Sequence, residues 1–280
     1  MPTDDNQLGA YLRARRELAR PEEYGLPDPG RRRVPGLRRE EVALLAGVSA
    51  DYYVRLEQGR DKHPSEQVVE ALARVFALDG DGVRHLRELA RPGRRRRRAP
   101  RPVERVGANL VRLLDSWTST PAFVLGRYLD VLASNRMARA VGTCSPRECN
   151  QVRAVFLDPA APELYPDWAA IAQETVASLR ASAGAELDDP RLTELVGELS
   201  LKSEQFRRLW ARHDVRAKTA GTKRYRHPMV GELTLGYETF AVASAVGQLL
   251  VVYTAEPGSP SERALTLLGT LAAAEPAKQG

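Results

Sequence analysis

"LRREEVALLAGVSADYYVRLEQGR", residues Leu37–Arg60, places Val42, Ala43 and Ala46 before a single glycine, Gly47, and Val48, Tyr53 and Leu56 after it. The spacing predicts a helix from Arg38 to Ala46, a tight turn at Gly47 and a second helix capped by Ser49. Glycine suits the turn because it takes left-handed dihedrals without a Cβ clash. The Ser49 hydroxyl can accept from an otherwise unpaired backbone N–H, and Asp51 in the first turn suits the positive end of the helix dipole. Two helices that cross steeply need a small residue where their backbones approach, here Ala43, and apolar residues on the inner faces, here Val42, Val48, Tyr53 and Leu56. That is a helix-turn-helix pattern.

Working outward, Leu8, Tyr11, Leu12, Leu18 and Ala19 predict an opening helix over Leu8–Arg20 that Pro21 stops. "PEEYGLPDPGRRRVPG" reads as a loop. "PSEQVVEALARVFAL" predicts a further helix with Val68, Leu72, Val75 and Phe76 on one side, and "DGVRHLRELARP" predicts a last one. Five helices within residues 1–92 make an all-α bundle of the size of a small DNA-binding domain. In such a bundle the second helix of the pair enters the major groove with its N-terminal residues facing base edges. The outward positions are Ser49, Ala50, Tyr52 and Arg55. Arg55 is able to make a bidentate contact to guanine, and Ala50 to touch a thymine methyl. Arg38, Arg39, Arg60 and Lys62 flank the pair and suit phosphates, although each also reads as an ordinary solvated cation. Tyr53 belongs to the core.

Charge is unevenly placed. Residues 1–102 carry 22 Lys+Arg against 16 Asp+Glu, whereas residues 103–280 carry 20 of each. Arg94–Arg98 and Arg101 account for the whole excess, in "RPGRRRRRAPRP". Such a run attracts polyanions by counterion release, or simply holds a linker open by repulsion. Either way residues 93–102 mark a boundary between two domains, 1–92 and 103–280. No apolar run approaches membrane-spanning length, and "MPTDDNQLGA" lacks the features of a signal peptide, which predicts a cytoplasmic protein that does not enter membranes. Cys144 and Cys149 are too few for a disulfide scaffold and read as ordinary reduced thiols. His63, His85, His213 and His227 show no ligand spacing, and no phosphate loop, nucleophile elbow or His-Glu-x-x-His motif is present. The chain therefore reads as a non-enzyme that calls for neither a cofactor nor a metal.

In the second half, "RVGANLVRLLDSW" predicts a helix with Leu110, Leu113 and Leu114 on one face. "TPAFVLGRYLDVLASN" predicts a hairpin around Gly126, after which Asn135 caps a helix through Ala140. Helices follow over Trp168–Ala183 and Pro190–Trp210, then two strands in "GELTLGYETFAVA" and "QLLVVYTAEPG", then a helix over Ser261–Ala273. Strands at both ends with helices between give an α+β domain built on an antiparallel sheet.

"VPGLRREEVALLAGVSADYYVRLEQGR" with "HPSEQVVEALARVFAL" resembles the DNA-binding domain of XRE-type regulators, and the preceding loop with Tyr52–Tyr53 resembles the MmyB-like subgroup. "NQVRAVFLDP", "ELYPDWAAIAQETVASLR", "FRRLWARHDV" and "YTAEPGS" resemble the MmyB-like ligand-binding domain, a PAS-like fold. Together these resemblances span nearly the whole chain. They imply a one-component transcription factor with a small apolar ligand, a long-chain fatty acid, in the second domain. Such a ligand needs an apolar cavity and a few polar groups for its head. Arg180, His213 and Tyr253 are candidates for the head, with Trp168, Phe206 and Trp210 as lining; tryptophans at helical spacing equally suit a plain core. Arg180 reads as a boundary residue and His213 as sharing a helix face with Trp210. The expected state is a homodimer on a palindromic double-stranded DNA operator. The other reading keeps the DNA domain but makes the second a dimerisation or protein-interaction module with no small ligand.

Overall fold

A computed structural model describes residues 6–26, 36–91, 104–142, 149–184 and 187–274. The run Arg94–Arg98, Arg101 and Cys144 lie outside these residues. The first five helices are α1 (Gln7–Leu18), α2 (Arg39–Ala46), α3 (Ala50–Glu57), α4 (Glu66–Val75) and α5 (Gly80–Ala90), with a short 3-10 turn over Pro21–Tyr24 where a plain loop was expected. Gly47 ends α2 at φ 68°, and the Ser49 hydroxyl accepts from the Tyr52 N–H at 3.2 Å, as the spacing around Gly47 required. Val42, Ala43, Tyr53 and Leu56 are buried with Leu8, Tyr11, Leu12 and Leu86 in one core, and Val48 is half-buried. Leu72, Val75 and Phe76, the last just after α4, are buried as expected, but the first inward residue of α4 is Val69, while Val68 is only half-buried.

Further along come α6 (Ala108–Ser116), strands β1 (Ala122–Leu125) and β2 (Val131–Ser134), α7 (Arg136–Val141), α8 (Gln151–Leu157), α9 (Ala161–Leu164) and α10 (Trp168–Ala183). Then follow α11 (Pro190–Lys202), α12 (Glu204–Ala211), strands β3 (Ala220–His227), β4 (Gly231–Ala241) and β5 (Leu249–Thr254), and α13 (Pro260–Ala274). The stretch expected as one helix over Pro190–Trp210 is two, because Ser203 is non-helical and its hydroxyl starts α12 by accepting from the Phe206 N–H at 3.2 Å. The sheet is antiparallel, in the order β2-β1-β5-β4-β3. β3 went unpredicted: "AGTKRYRH" exposes alternate residues at a sheet edge and so lacks an apolar signal. Asn135 caps α7 as expected, accepting from the Ala138 N–H at 2.9 Å, and its amide also bonds the carbonyls of Trp117 and Thr120. On α6 only Leu114 is fully buried, against Ala122 and Val124 of the sheet; Leu113 is exposed.

The chain forms two compact units, Met1–Arg98 with Val176–Ala217, and Ala99–Thr175 with Lys218–Gly280. In the first unit the later segment is fastened to the five-helix bundle at several points. Arg15 pairs with Asp214 at 3.0 Å, Gln7 donates to Asp188 at 3.1 Å, and the Ala217 N–H donates to Asp81 at 2.7 Å. Val215 packs on the bundle core. Burying apolar surface at about 25 cal/mol per Å² drives this packing, and the polar contacts set its register.

Candidate functional site

The outer face of α3 presents Ala50 and Asp51 fully exposed, with Tyr52 and Arg55 partly so. Arg55 is drawn toward Asp51 one turn earlier and lies over the Tyr52 ring, 5.7 Å from its centroid. An exposed pair of this kind contributes little to stability, so the guanidinium is held ready rather than locked. Arg60 and Lys62 are exposed beyond α3, and Arg38 is half-buried at the start of α2, its N–H donating to Glu41 at 2.7 Å. Arg39 does more than flank the pair, because its Nε donates to Glu57 at 2.7 Å.

Glu57 is the buried hinge of this unit. Its carboxylate, fully enclosed, accepts from Arg16 Nε at 2.5 Å as well as from Arg39, and Arg16 also donates to the Leu37 carbonyl at 3.0 Å. Burial alone would push the Glu57 carboxyl up; the bonds from Arg16 and Arg39 outweigh it and hold it below the usual glutamate range. One carboxylate thus ties α1, α2 and α3 together and fixes the angle at which α3 is presented. Sequence reasoning missed Arg16 and Glu57 because a charged residue on a polar-rich helix carries no mark of burial.

The six residues chosen for a ligand fall into three places. In the first unit Arg180 is fully buried rather than at a boundary, because its stem follows the apolar stripe of α10 inward. Its guanidinium lies 3.9 Å from the centroid of the Trp210 ring and donates to the Trp210 carbonyl at 2.6 Å, while Phe206 stacks on the same indole at 5.8 Å. Burial lowers Arg180 to about 10, against the pull of Asp214 and Tyr11, so it stays charged at neutral pH. His213 does not share the Trp210 helix face. It follows the end of α12 at φ 54°, edge-on to Tyr11 at 6.3 Å, and Tyr11 in turn meets His85 at 5.2 Å. Burial and then Arg180 lower both imidazoles, His85 to about 4 and His213 to about 3, so both are neutral.

In the second unit Trp168 packs on Phe156 and donates to the Val155 carbonyl at 2.9 Å. Tyr253 is the centre of a cluster that the sequence did not reveal. Its ring meets Phe123 at 5.9 Å, Tyr237 at 5.8 Å and Tyr225 at 6.2 Å, and Tyr225 meets Tyr165 at 5.4 Å. Lys218 and Lys223 sit over the Tyr237 ring at 4.6 and 5.4 Å from its centroid, and the Tyr237 hydroxyl donates to Glu174. Gly221 makes this possible: a Cβ there would lie 2.9 Å from the Tyr237 ring. The two-residue period of β3 and β4 puts Lys223, Tyr225 and Tyr237 on one face, but the period alone could not say that this face was covered.

A separate groove of about 660 Å³ runs along Leu110, Leu113, Phe240, Val242 and Leu250 in the second unit, and none of the six expected residues lines it. Among the described residues no cluster of His, Cys, Asp and Glu suits a metal ion, and no helix is long and apolar enough to cross a membrane. Cys149 is in a disulfide rather than a reduced thiol.

A five-helix bundle presenting α3, followed by a domain built on an antiparallel sheet, defines a DNA-binding regulator with an attached α+β ligand-binding domain. Residues 7–86 match the family model of a helix-turn-helix domain, and residues 106–268 match that of the MmyB-like transcription regulator ligand binding domain. The second match covers more than half of the chain, which belongs to the MmyB-like transcription regulators. No curated protein matches it.

Proposed function

We propose that this is a cytoplasmic regulator that binds a palindromic operator as a homodimer and responds to a small apolar ligand, a long-chain fatty acid, in a PAS-like domain. The functional division is residues 1–92 for DNA, 93–102 as linker and 103–280 for the ligand. The observation that carries the reading is the exposed outer face of α3 held by the buried Arg16–Glu57–Arg39 bonds, in a chain that belongs to a family of ligand-binding regulators. Ser49, Ala50, Tyr52 and Arg55 would face bases, while Arg38, Arg60 and Lys62 would meet phosphates. Arg39 is able to join them only with the part of its guanidinium that Glu57 leaves free.

For the ligand, the tyrosine face around Tyr253 supports a binding role, and so does Arg180, which gives one terminal N–H to the Trp210 carbonyl and keeps its buried Nε without a partner. Lys223, the more deeply buried of the two lysines, suits the carboxylate of a fatty acid. The segment Val176–Ala217 supports a route for the response: it lies in the ligand-binding family match yet packs with the DNA-binding helices. A ligand that prefers one arrangement of this segment would bias the dimer toward one half-site spacing.

Selection of duplexes from a random pool by the full-length chain tests the DNA reading. An enriched two-fold symmetric site is expected, and Arg55→Ala should weaken binding to it by about 1–3 kcal/mol while relaxing base preference at one position per half-site. Unchanged preference would remove Arg55 from base readout.

A further inference from the structure

Asp51 stands on the outer face of α3 with 77% of its side chain exposed, on the surface that is to meet a polyanion. Phosphates repel a carboxylate, and so do most of the edges in the major groove: guanine offers O6 and N7 and thymine offers O4, all of them acceptors. α3 does not need Asp51 as its cap, since the Ser49 hydroxyl already accepts from the Tyr52 N–H at 3.2 Å. An exposed ion pair one turn apart, such as Asp51 makes with Arg55, adds little to stability. A charge so unfavourable at this surface, and so little needed by the helix, calls for a use in the bound state.

The pair has the parts for one. An ionised carboxylate is acceptor-only, so in the major groove it can use just two donors, the N4 amine of cytosine and the N6 amine of adenine. Adenine sets its N7 acceptor beside the amine and repels a carboxylate, whereas cytosine presents its amine alone. Asp51 Oδ2 accepts from Arg55 Nη1, which leaves Oδ1 for a base. The other edge of the guanidinium, Nε with Nη2, has the parallel N–H groups that match guanine O6 and N7. The Tyr52 ring, its centroid 5.7 Å from the guanidinium carbon, backs the same group. Asp51 and Arg55 lie one helical turn apart, about 6 Å along the axis, against about 3.4 Å per base step. The two side chains therefore reach positions one or two steps from each other.

We propose that Asp51 determines specificity by accepting from the N4 amine of a cytosine, one or two base pairs from the guanine that Arg55 reads. Arg55 screens the carboxylate from the phosphates, and Asp51 holds the guanidinium along the helix before DNA arrives. At a wrong base the carboxylate faces an acceptor and its charge opposes binding, so the residue rejects as much as it selects. This rests on the reading of α3 as the helix that enters the major groove, and it names a second base in the site.

The test selects duplexes from one random pool with the full-length chain and with its Asp51→Ala, Asp51→Asn and Arg55→Ala variants, and reads base preference position by position. The unaltered chain should prefer a cytosine one or two steps from a guanine in each half-site. Asp51→Ala should cut the cytosine preference by about fivefold or more and keep the guanine preference. Without the carboxylate it should also bind random-sequence duplex more tightly. Asp51→Asn, whose amide matches adenine N6 and N7, should turn the cytosine position toward adenine. Arg55→Ala should relax the guanine position and leave the cytosine. If Asp51→Ala relaxes the guanine position alone, Asp51 only aligns Arg55 and the proposal is overturned. Base preferences unchanged in both Asp51 variants overturn it as well, and a lowered melting temperature would then assign Asp51 to the helix. If the unaltered chain enriches no site at all, the DNA reading of α3 falls and the role of Asp51 with it.

Discussion

Glu57→Ala is expected to destabilise the DNA-binding bundle by about 3–5 kcal/mol, because it strands buried Arg16 without its carboxylate. A domain is stable by only about 5–15 kcal/mol in all, so the variant would sit near its unfolding threshold. The loss comes from the orphaned charge more than from the missing attraction, so Glu57→Gln, which keeps an acceptor for Arg16, should cost less. Arg39→Ala should cost least, since its side chain is 42% exposed and Glu57 keeps Arg16. Urea titrations of the three variants measure this order. Equal losses from Glu57→Ala and Arg39→Ala would show that the buried pair is not what holds α1, α2 and α3 together.

The second large effect is a dependence on pH. His85 is buried, and neither ring nitrogen has a partner. Its folded-state pKa of about 4 lies below the ordinary 6.5, so the folded state binds its proton less readily than the unfolded chain. The stability that follows is complete above about pH 6.5 and is lost as the pH falls toward about 4, at roughly 1.4 kcal/mol per pH unit. His213 adds to the loss in the same window, as its value is lowered to about 3. Arg180, Arg15, Asp214 and Tyr11 surround the pair, with Asp214 paired to Arg15 and to Arg212 at 3.0 Å each. Denaturant titrations between pH 7 and 5 should show the fall, and His85→Phe, which keeps a ring against Tyr11, should flatten it. A stability independent of pH over that interval would contradict the burial of both imidazoles as neutral groups.

What could be read beforehand divides along physical lines. The pair α2–α3, its glycine turn and the Ser49 cap were legible because each is set by residues within a few positions. The β1–β2 hairpin was legible for the same reason, whereas the antiparallel sheet, which joins β1 to β5, was legible from the order of strands and helices. β3 was not, since its inward residues are Lys223, Tyr225 and His227, and no apolar alternation marks them. His227 is fixed there by long-range bonds, with Nε2 against the Ala140 carbonyl at 2.9 Å. Arg180 was named for its place on α10, but its burial depends on Trp210 thirty residues later. The packing of Val176–Ala217 with the first helices was equally hidden, because an apolar stripe says what is buried and not against what. The lysine pair needed both the β3 register and the chain position of Lys218, just before the strand.

Native mass spectrometry of the full-length chain as purified tests most directly whether this is a dimeric, ligand-responsive regulator. The expected result is a species of twice the 30.9 kDa chain mass plus the mass of one apolar ligand per chain, released on denaturation. A bare dimer would favour an interaction module over a sensor, and a bare monomer would contradict both the ligand and the palindromic mode of DNA binding.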